Sequence, residues 1–119
     1  MNQDEWAKEI HELAKSKDWW VGQEDGALTA EQIITKIALV ITELSEAIER
    51  VRSPDFDPKE LIWAGKDGSK PDGFGVELAD AKIRILDLER RLGIQSEHLM
   101  SVKHTYNGTR TSRHGGKRA

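Results

Sequence analysis

Residues 75–93 read GVELADAKIRILDLERRLG, and their periodicity predicts a helix with charge along its middle. Charged residues recur every three or four positions, which at ~100° per residue places them in one line; they are Glu77, Asp80, Arg84, Asp87 and Arg91. Apolar residues follow both sides of that line: Val76, Ala79, Ile83 and Leu86 on one side, and Leu78, Ala81, Ile85, Leu88 and Leu92 on the other. An ordinary surface helix has one apolar face and one wet face. The stretch therefore predicts acids held between two packing surfaces.

Helical periodicity elsewhere predicts an all-α bundle of about four helices, with the second, third and fourth at its centre. The first covers roughly residues 2–16. The second follows a capping box at Thr29 and Gln32 and runs to about Arg52; its apolar face holds Ile33, Ile37, Ile41, Leu44, Ile48 and Val51. The third is the stretch above, ending at Gly93 as a C-cap. The fourth starts near Ser96 and ends near residues 107–108.

The segment between the second and third helices, residues 53–75, contains all three prolines of the chain and several glycines. Such composition predicts a long loop, and a long loop in a small domain is usually functional or mobile. No strand alternation is evident anywhere in the chain.

Composition predicts one domain, residues 1–108, followed by a basic tail at 109–119. Of 18 basic residues, four lie in the last twelve positions, so the preceding 107 residues carry 14 basic against 21 acidic side chains, or −7. This balance suits an anionic ligand held through metal and cations, and equally a tail that touches nucleic acid. The chain has no cysteine, which excludes a thiol nucleophile and a zinc-thiolate site.

The N-terminus begins MNQDEW, with acids where a secretory signal has basic residues. No apolar run approaches the ~20 residues of a membrane span. A cytoplasmic protein is expected, in the host cytoplasm if the chain is phage-encoded.

Carboxylates three residues apart occur on the second and third helices: Glu43 with Glu46, and Glu77 with Asp80. This spacing puts each pair on one side of its helix. Four carboxylates on facing helices form a costly cluster unless a cation neutralises them, and Mg²⁺ is the hard cation that oxygen ligands suit. The alternative is that they are surface acids paired with Lys36, Arg50 or Arg84.

The fourth helix carries Lys103, Asn107 and Arg110 at i, i+4 and i+7, again on one face. Lys and Arg suit phosphate oxygens, one as a point charge and the other as a fork. Acids that hold a metal and bases that hold phosphate indicate a site for a metal–polyphosphate. A solvated basic edge is the alternative for these three residues.

These strings resemble a known family. ELSE at 43–46, ELAD at 77–80 and KHTYNGTR at 103–110 are similar to the MazG-like nucleotide pyrophosphohydrolases, the all-α NTP pyrophosphatases. The resemblance covers roughly residues 29–117, and IALVITELSEAIERVR, ELADAKIRILDL and HGGK are like small, single-domain, phage-borne members. Some relatives have a second Glu directly before ExxE, where this chain has Thr42, and the spacer at 47–76 is long for the family.

The resemblance implies a reaction: cleavage of a nucleoside triphosphate between its α and β phosphates, giving a monophosphate and pyrophosphate. Carried over by position, Glu43, Glu46, Glu77 and Asp80 are the expected catalytic Mg²⁺ ligands, with Mn²⁺ as an alternative ion. Lys103, Asn107 and Arg110 are expected to hold the triphosphate. The family is usually a dimer or a dimer of dimers, which implies a homo-oligomer whose site borrows residues from a second chain.

Three further residues are predicted to contact substrate. Lys36 lies two turns before Glu43 on the same side and is expected to reach the phosphates or to pair with Glu43. Trp20 follows the first helix, where an aromatic face either stacks on a nucleobase or anchors the core. Lys117, in the HGGK ending, belongs either to a flap over the phosphates or to a disordered end.

A different function class stays open beside the enzyme: a catalytically inactive helical bundle that binds nucleotide or serves as a protein-interaction module. Nucleic-acid binding is not expected, because the body is acidic and the tail has no interleaved aromatics.

Overall fold

The computed structural model describes residues 1–59, 63–64 and 70–110. The elements are α1 (Gln3–Ser16), α2 (Ala30–Arg52), β1 (Trp63–Ala64), β2 (Pro71–Asp72), α3 (Phe74–Leu92) and α4 (Ser96–Thr109). The all-α, four-helix prediction is confirmed. The helix bounds agree with the predicted ones to within one or two residues.

Local side chains fix where the helices begin and end. Asn2 and Thr29 accept hydrogen bonds from the backbone N–H groups of Glu5 and Gln32, whose side chains return to the cap residues' N–H groups. These two capping boxes satisfy N–H groups that a helix start otherwise leaves unpaired. Gly93 ends α3 in the left-handed region, at φ 74°, which glycine adopts without strain.

The predicted long loop between the second and third helices contains one short ladder that the sequence pattern did not indicate. Trp63 pairs with Asp72 and Ala64 with Pro71, forming a two-residue antiparallel ladder within the long connection from α2 to α3. Two-residue strands are too short to produce an alternation in the sequence, so the pattern could not reveal them.

The centre of the fold is α3, which packs against both α1 and α2. This corrects the predicted arrangement with the fourth helix at the centre, since α4 contacts mainly α1. Little of α4 is buried: Ser96 is, whereas Leu99, Met100, Val102 and Tyr106 are exposed. Glu97 fixes the start of α4 by accepting a hydrogen bond from the backbone N–H of Gln3, at 2.6 Å.

The charged line on α3 faces its two neighbours, and the structure supplies partners along it. Arg91 donates to the carbonyl oxygens of Gln23 and Gly26, both at 2.7 Å. One turn earlier, Asp87 accepts from Trp20 Nε1 at 3.0 Å and lies 2.7 Å from His11 Nδ1. The buried contact between α1 and α3 therefore depends on a carboxylate.

Much of the apolar surface points outward. On α2, apolar residues spaced alternately by three and four positions are 42–64 % exposed: Ile34, Ile37, Ile41, Leu44, Ile48 and Val51. Alternating spacings of three and four form the seam of paired helices. This seam, which we call the α2 seam, has no cover in the chain itself among the described residues.

Within the part of the chain that the structure describes, no helix is both long enough and apolar enough to cross a membrane.

Asp87→Ala is expected to lower the free energy of unfolding by about 2–4 kcal/mol, because it leaves the Trp20 indole N–H and the His11 ring nitrogen buried without their partner. Urea denaturation would measure this, with Glu9→Ala, an exposed acid on α1, expected to change stability by less than about 0.5 kcal/mol. Equal effects of the two substitutions would contradict the structural role of Asp87.

Candidate metal centre

Three carboxylates converge where α2 crosses α3. Glu43, Glu77 and Asp80 each offer an oxygen, and these atoms all lie within 4.8 Å of one another. Glu43 and Glu77 are buried and Asp80 is half-buried. The fourth predicted ligand, Glu46, is exposed on the next turn of α2 and hydrogen-bonds the Glu77 carboxyl. The structure thus brings three of the four predicted metal ligands together, whereas Glu46 lines the same cleft outside that group.

The electrostatics of this cluster disfavour full ionisation. Burial, a hydrogen bond that the protonated Glu77 carboxyl donates to Glu46, and the charges of Glu46, Asp80 and Glu43 raise the pKa of Glu77 to about 7. Burial and the charge of Glu43 also raise the pKa of Asp80. Like charges that share a buried site resist ionising together unless a cation joins them.

One cation of the chain already contacts the cluster from α3. Arg84 Nε donates to Glu43 Oε1 at 2.7 Å. Arg84 sits four residues after Asp80, so this bond orients the Glu43 carboxylate toward the crossing. The alternative in which Glu43 pairs with a nearby arginine is therefore realised, and it coexists with the carboxylate cluster.

The acids line one wall of an open cleft of about 950 Å³. The opposite wall comes from the α2–α3 connection and the start of α3, including Asp55, Phe56, Asp72 and Phe74. Phe56 and Phe74 meet edge to face, with ring centroids 5.4 Å apart. The cleft therefore places the carboxylate cluster beside a small aromatic cluster.

Arg50 was missed as a cleft residue and considered only as an ion-pair partner. It lies one turn after Glu46 on α2, donates to Asp72, and has Nη2 3.8 Å from Glu77 Oε1. Lys70 also lines the cleft. Glu43, Glu46 and Arg50 lie at i, i+3 and i+7, a spacing that could have placed Arg50 on the same face of α2 from the sequence alone.

The predicted phosphate-binding residues of α4 lie elsewhere. Lys103, Asn107 and Arg110 do not line the cleft; Lys103 and Arg110 lie over the Tyr106 ring, 4.9 and 5.8 Å from its centroid. The cause is the position of α4 beside α1, away from the α2–α3 crossing. Within a single chain, these three residues and the carboxylates do not form one site.

Lys36 and Trp20 are likewise outside the cleft. The Lys36 ammonium lies 4.0 Å from the Trp20 ring centroid and donates to the Trp19 carbonyl oxygen at 3.2 Å. Burial lowers the pKa of Lys36, and Asp87 opposes that shift. Trp20 is 0 % exposed and bonded to Asp87, so its ring serves the core and has no face open to a nucleobase.

Lys117, predicted to contact phosphate, and the rest of the basic tail from residue 111 lie outside the described residues.

The chemistry of the donor set fits a hard divalent cation. All donors at the crossing are carboxylate oxygens, the kind of ligand that Mg²⁺ prefers. Glu77 resists ionisation in their company, and a cation among them would remove that cost. The open cleft beside them leaves room for water and for a phosphate group.

Comparisons of the chain with protein-family models, with curated proteins and with solved structures found no match.

Without divalent metal, Glu77 should make stability fall as pH rises. Its pKa of about 7 in the folded protein exceeds the ordinary 4.5, so the folded state holds an extra proton between those values. The free energy of unfolding therefore decreases from about pH 4.5 to about pH 7 and then levels off. Glu77→Gln mimics the protonated form, so its free energy of unfolding should lack this decrease with pH.

Urea unfolding in EDTA at pH 5 and pH 8 is the measurement. Relative to Glu77→Gln, the wild type should lose roughly 1–2 kcal/mol of unfolding free energy between these pH values, less than a full isolated shift implies because the neighbouring carboxylates interact with Glu77. Parallel pH dependences of the two proteins would contradict the raised pKa.

Proposed function

We propose that the protein is a Mg²⁺-dependent nucleoside triphosphate pyrophosphohydrolase, which cleaves ribo- or deoxyribonucleoside triphosphates to a monophosphate and pyrophosphate. The observation that carries the proposal is the convergence of Glu43, Glu77 and Asp80 within 4.8 Å in a cleft large enough for a nucleotide. The resemblance of the ELSE, ELAD and KHTYNGTR strings to MazG-like proteins supplies the reaction class.

The buried carboxylates would hold the metal, which when bound neutralises phosphate charge and lowers the pKa of water. Glu43, Glu77 and Asp80 are the ligands, and Arg84 keeps Glu43 aimed at them through its 2.7 Å hydrogen bond. Glu46, at the exposed edge of the cluster, would orient the attacking water and accept its proton. Water adds to the α phosphorus, the α–β bridging bond breaks, and pyrophosphate leaves.

We further propose an all-α NTP pyrophosphatase-like assembly of two or more copies. The α2 seam supports it, because six exposed apolar residues at coiled-coil spacing are costly in water. Assembly also offers a source of phosphate-binding cations: Lys103, Asn107 and Arg110 are remote from the cleft of their own chain and would serve the cleft of another copy.

The same exposed apolar surface favours the second candidate, a protein-interaction module without catalysis. It is weaker as a complete account because it gives no reason for three carboxylates to converge in a half-buried cluster. The two candidates differ in turnover, which a direct assay measures.

Incubation with Mg²⁺ and a panel of nucleoside triphosphates should yield monophosphate and pyrophosphate, resolved by ion-exchange chromatography. EDTA should abolish the reaction. Asp80→Asn should slow it by more than about 100-fold, because metal charge stabilisation contributes several kcal/mol. Glu12→Gln, an exposed acid on α1, should stay within about twofold of wild type.

The products separate the remaining outcomes. Diphosphate and orthophosphate would mean that cleavage occurs at the β–γ bond instead. Absence of turnover with Mg²⁺ and with Mn²⁺ would contradict the enzyme and favour the interaction module.

Ile41→Glu should convert an oligomer into monomers, because it places a charge in the middle of the α2 seam. Sedimentation velocity would show the change in mass. Thr35→Glu adds the same charge to an exposed position of α2 outside the seam and should leave the assembly intact. A wild type that sediments as a monomer at all concentrations would contradict the assembly.

A further inference from the structure

Cations are scarce in the cleft, although the proposed substrate carries several negative charges. Among the described residues, its lining contains eight acids and two bases, and the bases are Arg50 and Lys70. Arg84 is engaged with Glu43, and the cations of α4 lie outside. A phosphate chain in this cleft therefore meets Arg50 or Lys70 from its own chain.

Arg50 lies in the cleft beside the carboxylate cluster, where a metal-bound anion would also lie. Its Nη2 lies 3.8 Å from Glu77 Oε1, so the guanidinium borders the carboxylate cluster directly. Its side chain is 44 % exposed, lines the cleft and bonds Asp72 through Nη2. A guanidinium has five donors in a planar fork, a geometry that matches phosphate oxygens.

The start of α3 reinforces this end of the cleft. Gly73 and Phe74, the cap and first residue of α3, line it, and the helix start receives no side-chain cap. Uncapped N–H groups at a helix start favour an anion. Arg50 and this helix start are therefore two separate features that favour negative charge beside the metal-binding acids.

We propose that Arg50 binds the phosphates of the metal-bound nucleotide, exchanging its hydrogen bond to Asp72 for phosphate oxygens. This inference rests on the proposed pyrophosphohydrolase function. In the free protein, Asp72 holds the guanidinium in place and Arg50 offsets part of the charge of Glu77. When the substrate binds, Arg50 is a positioning and binding group for the leaving pyrophosphate.

A purely structural role of Arg50 is the rival explanation. The Arg50–Asp72 pair joins the end of α2 to β2, directly before α3. If the pair acts only as a clasp, removing either partner should have the same effect. If Arg50 binds phosphate, the two removals should differ in their effect on pyrophosphate affinity. That difference distinguishes phosphate binding from a clasp.

Calorimetric titration of the full chain with Mg²⁺ alone, and then with inorganic pyrophosphate in saturating Mg²⁺, is the first measurement. Arg50→Gln should weaken pyrophosphate binding about 10- to 100-fold, the range for a charge-assisted hydrogen bond. Its affinity for Mg²⁺ alone should be unchanged or higher, because a cation beside Glu77 is removed. Arg50→Lys should fall between Arg50→Gln and wild type.

Asp72→Asn should bind pyrophosphate at least as tightly as wild type, because Arg50 is released from a carboxylate.

Arg52→Gln is the matched control: Arg52 lies on the same helix, pairs with Glu49 and does not line the cleft. In turnover assays, Arg50→Gln should raise KM by a similar factor of about 10- to 100-fold.

Unchanged pyrophosphate affinity and KM in Arg50→Gln, in a wild type that binds Mg²⁺ and turns over, would overturn this inference alone. Equal losses in Arg50→Gln and Asp72→Asn would overturn it in favour of the clasp. A wild type without Mg²⁺ binding or turnover would overturn the proposed function and this inference with it.

Discussion

Charge on the buried side of α3 has to be neutralised, and the fold is organised around that requirement. Burying an ionised group without a partner costs several kcal/mol. At the C-terminal end of α3 the chain supplies partners itself: backbone carbonyls for Arg91, and Trp20 with His11 for Asp87. Toward the N-terminal end Arg84 serves Glu43, and the carboxylates then outnumber the cations. The same line of residues thus contributes to stability at one end and accumulates negative charge at the other.

The candidate centre lies toward the N-terminal end of α3, where carboxylates outnumber cations. Asp87 and Arg91 make bonds that join α1 and the segment before α2 to α3. Glu43 and Glu77 meet at the α2–α3 crossing, although neither gains stability from the other. Burial and neighbouring carboxylates raise the pKa of Glu77 and of Asp80, which costs stability, and the proposed cation would offset that cost.

The distribution of apolar residues is the second organising feature. Charge occupies much of the interior face of α3, whereas α2 and α4 expose apolar side chains such as Ile41, Leu44 and Tyr106. Among the residues whose burial the structure describes, one chain buries few large hydrophobic side chains, with Trp20, Leu86 and Leu88 among them. Assembly through the α2 seam would supply the apolar burial that the single chain lacks, and the proposed use of α4 cations at the cleft of another copy requires such an assembly. The proposed chemistry and the proposed assembly therefore depend on the same geometry.

The sequence by itself determined the four helices, the caps at Thr29 and Gly93, and the carboxylates that share helix faces, because capping and helical periodicity are local properties. It also placed Arg84 beside the acids. Only the tertiary structure decided that Trp20 is core, that α4 lies against α1 and that Arg50 borders Glu77. Those facts depend on which helices pack together, and amphipathic α2 and α4 present apolar residues that several arrangements could cover. Helical period fixes the face on which a residue lies, whereas the neighbour of that face is set by packing across the whole chain.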